Sequence, residues 1–243
     1  MELLLLSNST LPGEDFFQWP RMHVSSFLAG ASRVGFVPLA AMPAQREAYI
    51  RRVTAVFHEL GMELVPVLNE GDAGRVLGGC DAVAVGGGNT FQLLRELYRG
   101  GLVRSIAANV RAGMPYLGWS AGSNVACPTI MTTNDMPVVE PPTLRAMHLV
   151  PFQINPHYTE ATIPGHGGES RDQRIAEYLE ANPGMPVIGL REGSLLHLSG
   201  SHVTLKGREM KVFRHGRQAR SIMDGTTFRS DLSDLDPETG TSA

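Results

Sequence analysis

Lysine is nearly absent from this chain of 243 residues. Of its 21 basic residues, only Lys206 and Lys211 are lysine, and both lie late. No Gly-Lys-Ser/Thr step exists, so a Walker A loop is excluded and Schiff-base chemistry is not expected. Cysteine is as scarce. Cys80 and Cys127 form no CxxC pair and no Cys/His metal spacing, and they read as two buried thiols. The N-terminal apolar run is only Leu3–Leu6, preceded by Glu2. That is too short for a signal peptide and far below the roughly 18 residues of a membrane span. A net charge of −3 gives no case for nucleic-acid or membrane partners. A soluble cytoplasmic protein is expected.

What is present is an alternation of short apolar runs and helical patterns. Strands are expected at Leu3–Leu6, Val34–Leu39, Glu63–Val67, Ala82–Val85 and Pro115–Leu117. Helices are expected at Pro43–Leu60, Thr90–Tyr98 and Leu102–Arg111. The order argues for a doubly wound α/β fold with a mostly parallel sheet. Further on, strands are expected at Gln153–Asn155 and Pro186–Leu190, with a helix at Ser170–Glu180. Leu195–Leu198, Val203–Lys206 and Lys211–Arg214 are spaced like a C-terminal β meander. Residues 224–243 carry five acids and one base among Gly, Ser, Thr and Pro, so they read as an acidic, disordered tail. Residues 1–223 read as one catalytic domain.

In such sheets, sites form at the carboxyl ends of the strands, and two glycine-rich segments fall there. Gly118-Trp119-Ser120-Ala121-Gly122 has the pattern of a nucleophile elbow, which exposes a serine hydroxyl on a tight strand-to-helix turn. The Ala121 amide would then face an oxyanion. The plain alternative is a packing turn with a capping serine. Gly86-Gly87-Gly88-Asn89-Thr90 is not a G-x-G-x-x-G loop, because position 91 is Phe. Beside a serine nucleophile it would instead complete the oxyanion hole, with Gly88 the best donor. Of eight histidines, His157 follows a predicted strand and is the favoured base, with His166 second. The carboxylate that orients the base is left open between Asp135 and Glu192. Asp135 could equally be a turn residue, and Glu192 could pair with Arg191.

These motifs, in this order, make the chain resemble the peptidase E family of bacterial α-aspartyl dipeptidases. The matching stretches include LLLLSNST (3–10), VGGGNTFQLL (85–94), GWSAGSNVACPTI (118–130), TTNDMP (132–137), QINPHYT (153–159) and VIGLREG (187–193). The resemblance implies a fold like the class I glutamine amidotransferases, with serine in place of cysteine. It implies hydrolysis of Asp-Xaa dipeptides without metal or cofactor, with Ser120 as nucleophile and His157 as base. Amidotransferases carry a carboxylate two residues after the histidine; here that position is Thr159, so another acid must serve. Both Asp135 and Glu192 match residues of the family. Asp135 is favoured for its short side chain, and Glu192 would then line the site near the substrate amine. Arg171 matches an arginine for the aspartyl carboxylate, with Asn89 in the glycine loop as a second substrate contact. A guanidinium can grip a carboxylate with two parallel hydrogen bonds. The partner is a small dipeptide, and a homodimer is left open. Two rivals remain: a cyanophycinase-like hydrolase of β-aspartyl-arginine, and a non-catalytic amino-acid-binding scaffold. The NDMP and NPHYT stretches fit the peptidase E family better than the first.

Overall fold

Four consecutive leucines make the central strand, and their alternation decides the architecture. In β1 (Glu2–Leu6), Leu3 and Leu5 enter one core while Leu4 and Leu6 enter another. A strand buried on both faces belongs in a sheet covered by helices on both sides. The computed structural model describes residues 1–69, 71–161 and 167–235. It has this layout, built from β2 (Arg33–Val37), β3 (Glu63–Pro66), β4 (Ala82–Val85) and β5 (Tyr116–Trp119) around β1. β5 lies between β1 and β4, and β4 is followed by β2 and β3, with every neighbour parallel.

The helices are α1 (Arg21–Phe27), α2 (Pro43–Glu59), α3 (Ala73–Gly78), α4 (Thr90–Arg99), α5 (Leu102–Arg111), α6 (Ala121–Asn124) and α7 (Arg171–Ala181). α2 starts with Pro43 at its first turn, where a missing N–H costs nothing, and it packs Val53, Val56 and Phe57 on one face of the sheet. α4 and α5 cover the other face through Leu93, Leu94, Leu97, Ile106 and Val110. The short helices α1 and α3 have no counterpart in the sequence reading.

The second half of the chain departs from one continuous sheet. β6 (Gln153–Tyr158) and β7 (Val187–Arg191) pair in parallel away from the main sheet, forming a four-stranded layer with β10 (Met210–Phe213) and β11 (Arg220–Ile222). β8 (Ser194–Ser199), β9 (His202–Gly207) and β12 (Thr227–Arg229) instead extend the main sheet, antiparallel from β1. The expected meander is therefore divided between two sheets. The tight turn from β7 to β8 is the hinge between them, with Gly193 at φ +77°. That turn places Glu192 at the junction.

The acidic tail needs a correction. Residues 224–235 are built into the fold: β12 pairs with β9, and Phe228, Leu232 and Leu235 are buried in the main core. The abundance of acids outweighed three apolar residues, whose burial anchors the segment. The remainder of that tail, 236–243, lies outside the described residues. Cys80 and Cys127 are free buried thiols, and burial pushes Cys127 up to about 12. No helix among the described residues is long and apolar enough to cross a membrane.

Candidate active site

The turn after β5 is made by what its glycines lack. A Cβ on Gly118 would lie 2.7 Å from the carbonyl carbon and oxygen of Gly122, and one on Gly122 would lie 2.0 Å from the Val85 oxygen. Both positions are closed to any other residue, which is the physical content of the G-x-S-x-G spacing. Ser120 between them sits at φ +53°, ψ −114°, strained backbone held by its surroundings. The Ser120 amide donates to Leu6 O (3.1 Å), and Ser123 Oγ bonds Leu6 O (2.7 Å) and Gly118 O (2.9 Å). The elbow is thus tied to the end of β1. Ser120 makes no side-chain cap to α6, so the capping-serine alternative does not describe it.

The glycine loop lies alongside. A Cβ on Gly87 would be 3.1 Å from Ser120 Cβ. Gly88 has φ +138° and would meet Ala40 O at 2.6 Å, so only glycine fits. The Gly88 and Ala121 amides donate no hydrogen bond among the described residues, which leaves both available to an oxyanion. Asn89 caps α4 by accepting from the Gln92 amide (3.0 Å), and its Nδ2 donates to Met136 O (2.8 Å). Its side chain borders the cavity but is already committed to holding the loop.

His157 reaches the serine from the second sheet. Its Nε2 is 2.8 Å from Ser120 Oγ, and its Nδ1 is 2.6 Å from Glu192 Oε1. A carboxylate only accepts, so the Nδ1–H points to Glu192 and Nε2 accepts from the serine hydroxyl. β6 runs further than expected, and His157 sits inside it at a bulge, at φ +54°. The bulge re-aims the imidazole toward Ser120. Its backbone is pinned on both sides: Ser7 Oγ accepts from the His157 amide (2.8 Å), and Asn134 Nδ2 donates to Pro156 O (2.7 Å). Asn8 Oδ1 accepts from the Gly193 amide at 2.9 Å, fixing the turn that presents Glu192. Ser7, Asn8 and Asn134 were missed as positioning residues. The signal was there: Ser7 and Asn8 are polar residues ending a buried strand at the active edge.

The preference for Asp135 beside the histidine is corrected by the geometry. Asp135 Oδ2 accepts from the Thr90 amide (2.7 Å), Thr90 Oγ1 (2.6 Å) and Thr133 Oγ1 (3.2 Å). It anchors the start of α4, and the carboxylate against His157 is Glu192. Two loops at the same edge are equivalent in sequence; only the turn between sheets brings one of them to the imidazole. Arg171 opens α7 and donates through Nη1 to Asn134 Oδ1. Burial, and then nearby Arg174, brings its guanidinium below the ordinary value, an environment that favours an added carboxylate. His166 lies outside the described residues. Among the described residues, no group of three or more His, Cys, Asp and Glu side chains is placed to hold a metal.

Above Ser120 opens a cavity of about 800 Å³, bordered by His157, Glu192, Gly88, Tyr49 and Arg52. That is the size of a small-molecule site. Tyr49 is fixed by accepting from Trp119 Nε1 at 2.9 Å, and burial raises its hydroxyl so that it stays neutral.

Comparison with known proteins gives the family. Residues 3–206 match the family model of peptidase family S51. The peptidase E of Streptomyces coelicolor is 46% identical over 238 residues, covering 97% of this chain and 95% of the relative. The peptidase E of a Nostoc species is 43% identical over 218 residues, covering 89% and 90%. A crystal structure of a peptidase from an acI-B1 actinobacterium shares the fold, with a TM-score of 0.69 at 14% identity over 94% of this chain and 96% of that one. These matches set aside the non-catalytic scaffold. The chain belongs to peptidase family S51 and is a serine peptidase.

Proposed function

We propose that this peptidase hydrolyses dipeptides with an N-terminal aspartate, Asp-Xaa, through Ser120, His157 and Glu192. The observation that carries the proposal is the line from Ser120 Oγ to His157 Nε2 (2.8 Å) and from His157 Nδ1 to Glu192 (2.6 Å). His157 removes the Ser120 proton as Oγ attacks the peptide carbonyl. The Gly88 and Ala121 amides hold the oxyanion. His157 passes the same proton to the leaving amine as the C–N bond breaks. Water, deprotonated by His157, then attacks the ester; the acyl C–O bond to Ser120 breaks, Oγ takes that proton from His157, and aspartate leaves. Glu192 accepts from the Nδ1–H throughout and stabilises the imidazolium that forms at each step.

Arg171 receives the aspartyl side chain. Its support is the link through Asn134 to the Pro156 carbonyl, next to His157 in the chain. A panel of Asp-Leu, Glu-Leu, Asn-Leu and β-Asp-Arg tests the specificity. Asp-Leu is expected to exceed Asn-Leu in kcat/KM by about 10²-fold or less, the range of a charge-assisted pair. Preferential cleavage of β-Asp-Arg would point to the cyanophycinase-like alternative and overturn the reading.

A further inference from the structure

The cavity over Ser120 contains a cation that the reaction as described leaves without a role. Arg52 lies on α2, and its guanidinium carbon is 4.3 Å from the ring centroid of Phe16 and 5.9 Å from that of Tyr49. Phe16, Tyr49 and Arg52 all border the cavity. Stacking on an aromatic face orients a guanidinium and leaves its N–H edge available. Among the described residues, Arg52 forms no ion pair or hydrogen bond, and it is the one cationic side chain bordering this cavity. Other cations near the site are engaged: Arg191 with Glu160 and Glu209, Lys211 with Glu160 and Asp172.

An Asp-Xaa dipeptide carries two carboxylates, one on each side of the bond that breaks. Arg52 borders the Ser120 cavity from α2, and Arg171 on α7 is tied through Asn134 to the carbonyl next to His157. Arg52 comes from α2, which packs with Trp119 in one core. Arg171 comes from α7, which packs with Tyr158 in a separate core. The leaving amine must face His157 Nε2 to take its proton. His157 borders the Arg52 cavity, whereas Arg171 does not. A leaving residue extending into that cavity would set its amine by His157 and its carboxylate on the side of Arg52.

We infer that Arg52 binds the free α-carboxylate of the leaving residue and so confines the enzyme to substrates that end there. The inference deepens the Asp-Xaa reading and rests on it. A longer peptide would place a neutral amide where the carboxylate belongs, against an unneutralised guanidinium.

Asp-Leu, Asp-Leu amide and Asn-Leu, assayed with the wild type and Arg52→Gln, test it. The wild type is expected to favour Asp-Leu over its amide by about 10- to 100-fold in kcat/KM, as for one charge-assisted contact. In Arg52→Gln that preference collapses toward unity because the free-acid rate falls, mainly through KM, while the Asp-Leu to Asn-Leu ratio holds. Arg52→Lys restores part of the preference, since charge returns without the planar fork. A wild type that does not distinguish acid from amide overturns the inference. So does a variant that keeps the preference, loses both rates equally, or changes the Asp-to-Asn ratio instead. A wild type inactive on all three substrates would overturn the dipeptidase reading itself, and this inference with it.

Discussion

Replacing Ser120 with alanine is expected to lower kcat by about 10⁴-fold or more while Asp-Leu still binds. The change removes one oxygen. Alanine keeps the Cβ, so the backbone strain at φ +53° is the same as for serine and the elbow has no new reason to rearrange. Gly118 and Gly122 continue to close the turn, and Ser123 still ties it to Leu6. What disappears is the atom proposed to form the ester. Residual turnover would come from the Gly88 and Ala121 amides polarising the carbonyl toward water. Steady-state kinetics with calorimetric binding of Asp-Leu separates the two effects. A kcat within tenfold of wild type would mean that the bond is broken by some other route.

The second large effect separates the two carboxylates. Glu192→Gln preserves shape but removes the charge that pairs with the imidazolium and fixes the Nδ1 tautomer. A fall in kcat of about 10³- to 10⁴-fold is expected, with KM little changed. Asp135→Asn removes a charged acceptor from the Thr90 amide and hydroxyl, two contacts under 2.8 Å. Its cost falls on stability, about 1.5–3 kcal/mol for hydrogen bonds to a charged group, with kcat changed less than about tenfold. Kinetics and thermal unfolding of the two variants, measured side by side, give the comparison. The reverse pattern, with kcat lost in Asp135→Asn and kept in Glu192→Gln, would put the wrong carboxylate in the triad.

The two variants also mark where sequence reasoning stopped. Ser120 was legible because its signal is local: a buried strand, then glycines two residues either side, for which no Cβ has room. His157 was legible from its place near a strand end, although the bulge that aims it was not. Asp135 and Glu192 each follow an element at the active edge, and nothing within a few residues distinguishes them. The choice is made by the β7–β8 turn, which crosses between two sheets and carries Glu192 to the imidazole. Long-range pairing of that kind leaves no periodicity to read. The parallel strands around β1 were visible because burial on both faces writes continuous apolar runs. The split meander was not, since β8 and β10 have the same alternating look while joining different sheets. Arg52 was passed over for a similar reason. It is one of several arginines on a surface helix until Phe16 and the cavity are seen beside it.

The central claim is that Ser120 is a nucleophile made reactive by its own histidine and carboxylate. Labelling with a fluorophosphonate, followed by peptide mass mapping, tests it most directly, because such reagents require an activated serine. The wild type is expected to take up one equivalent of label, on Ser120, and Glu192→Gln to react much more slowly. No adduct, or an adduct on a different residue, would contradict the account.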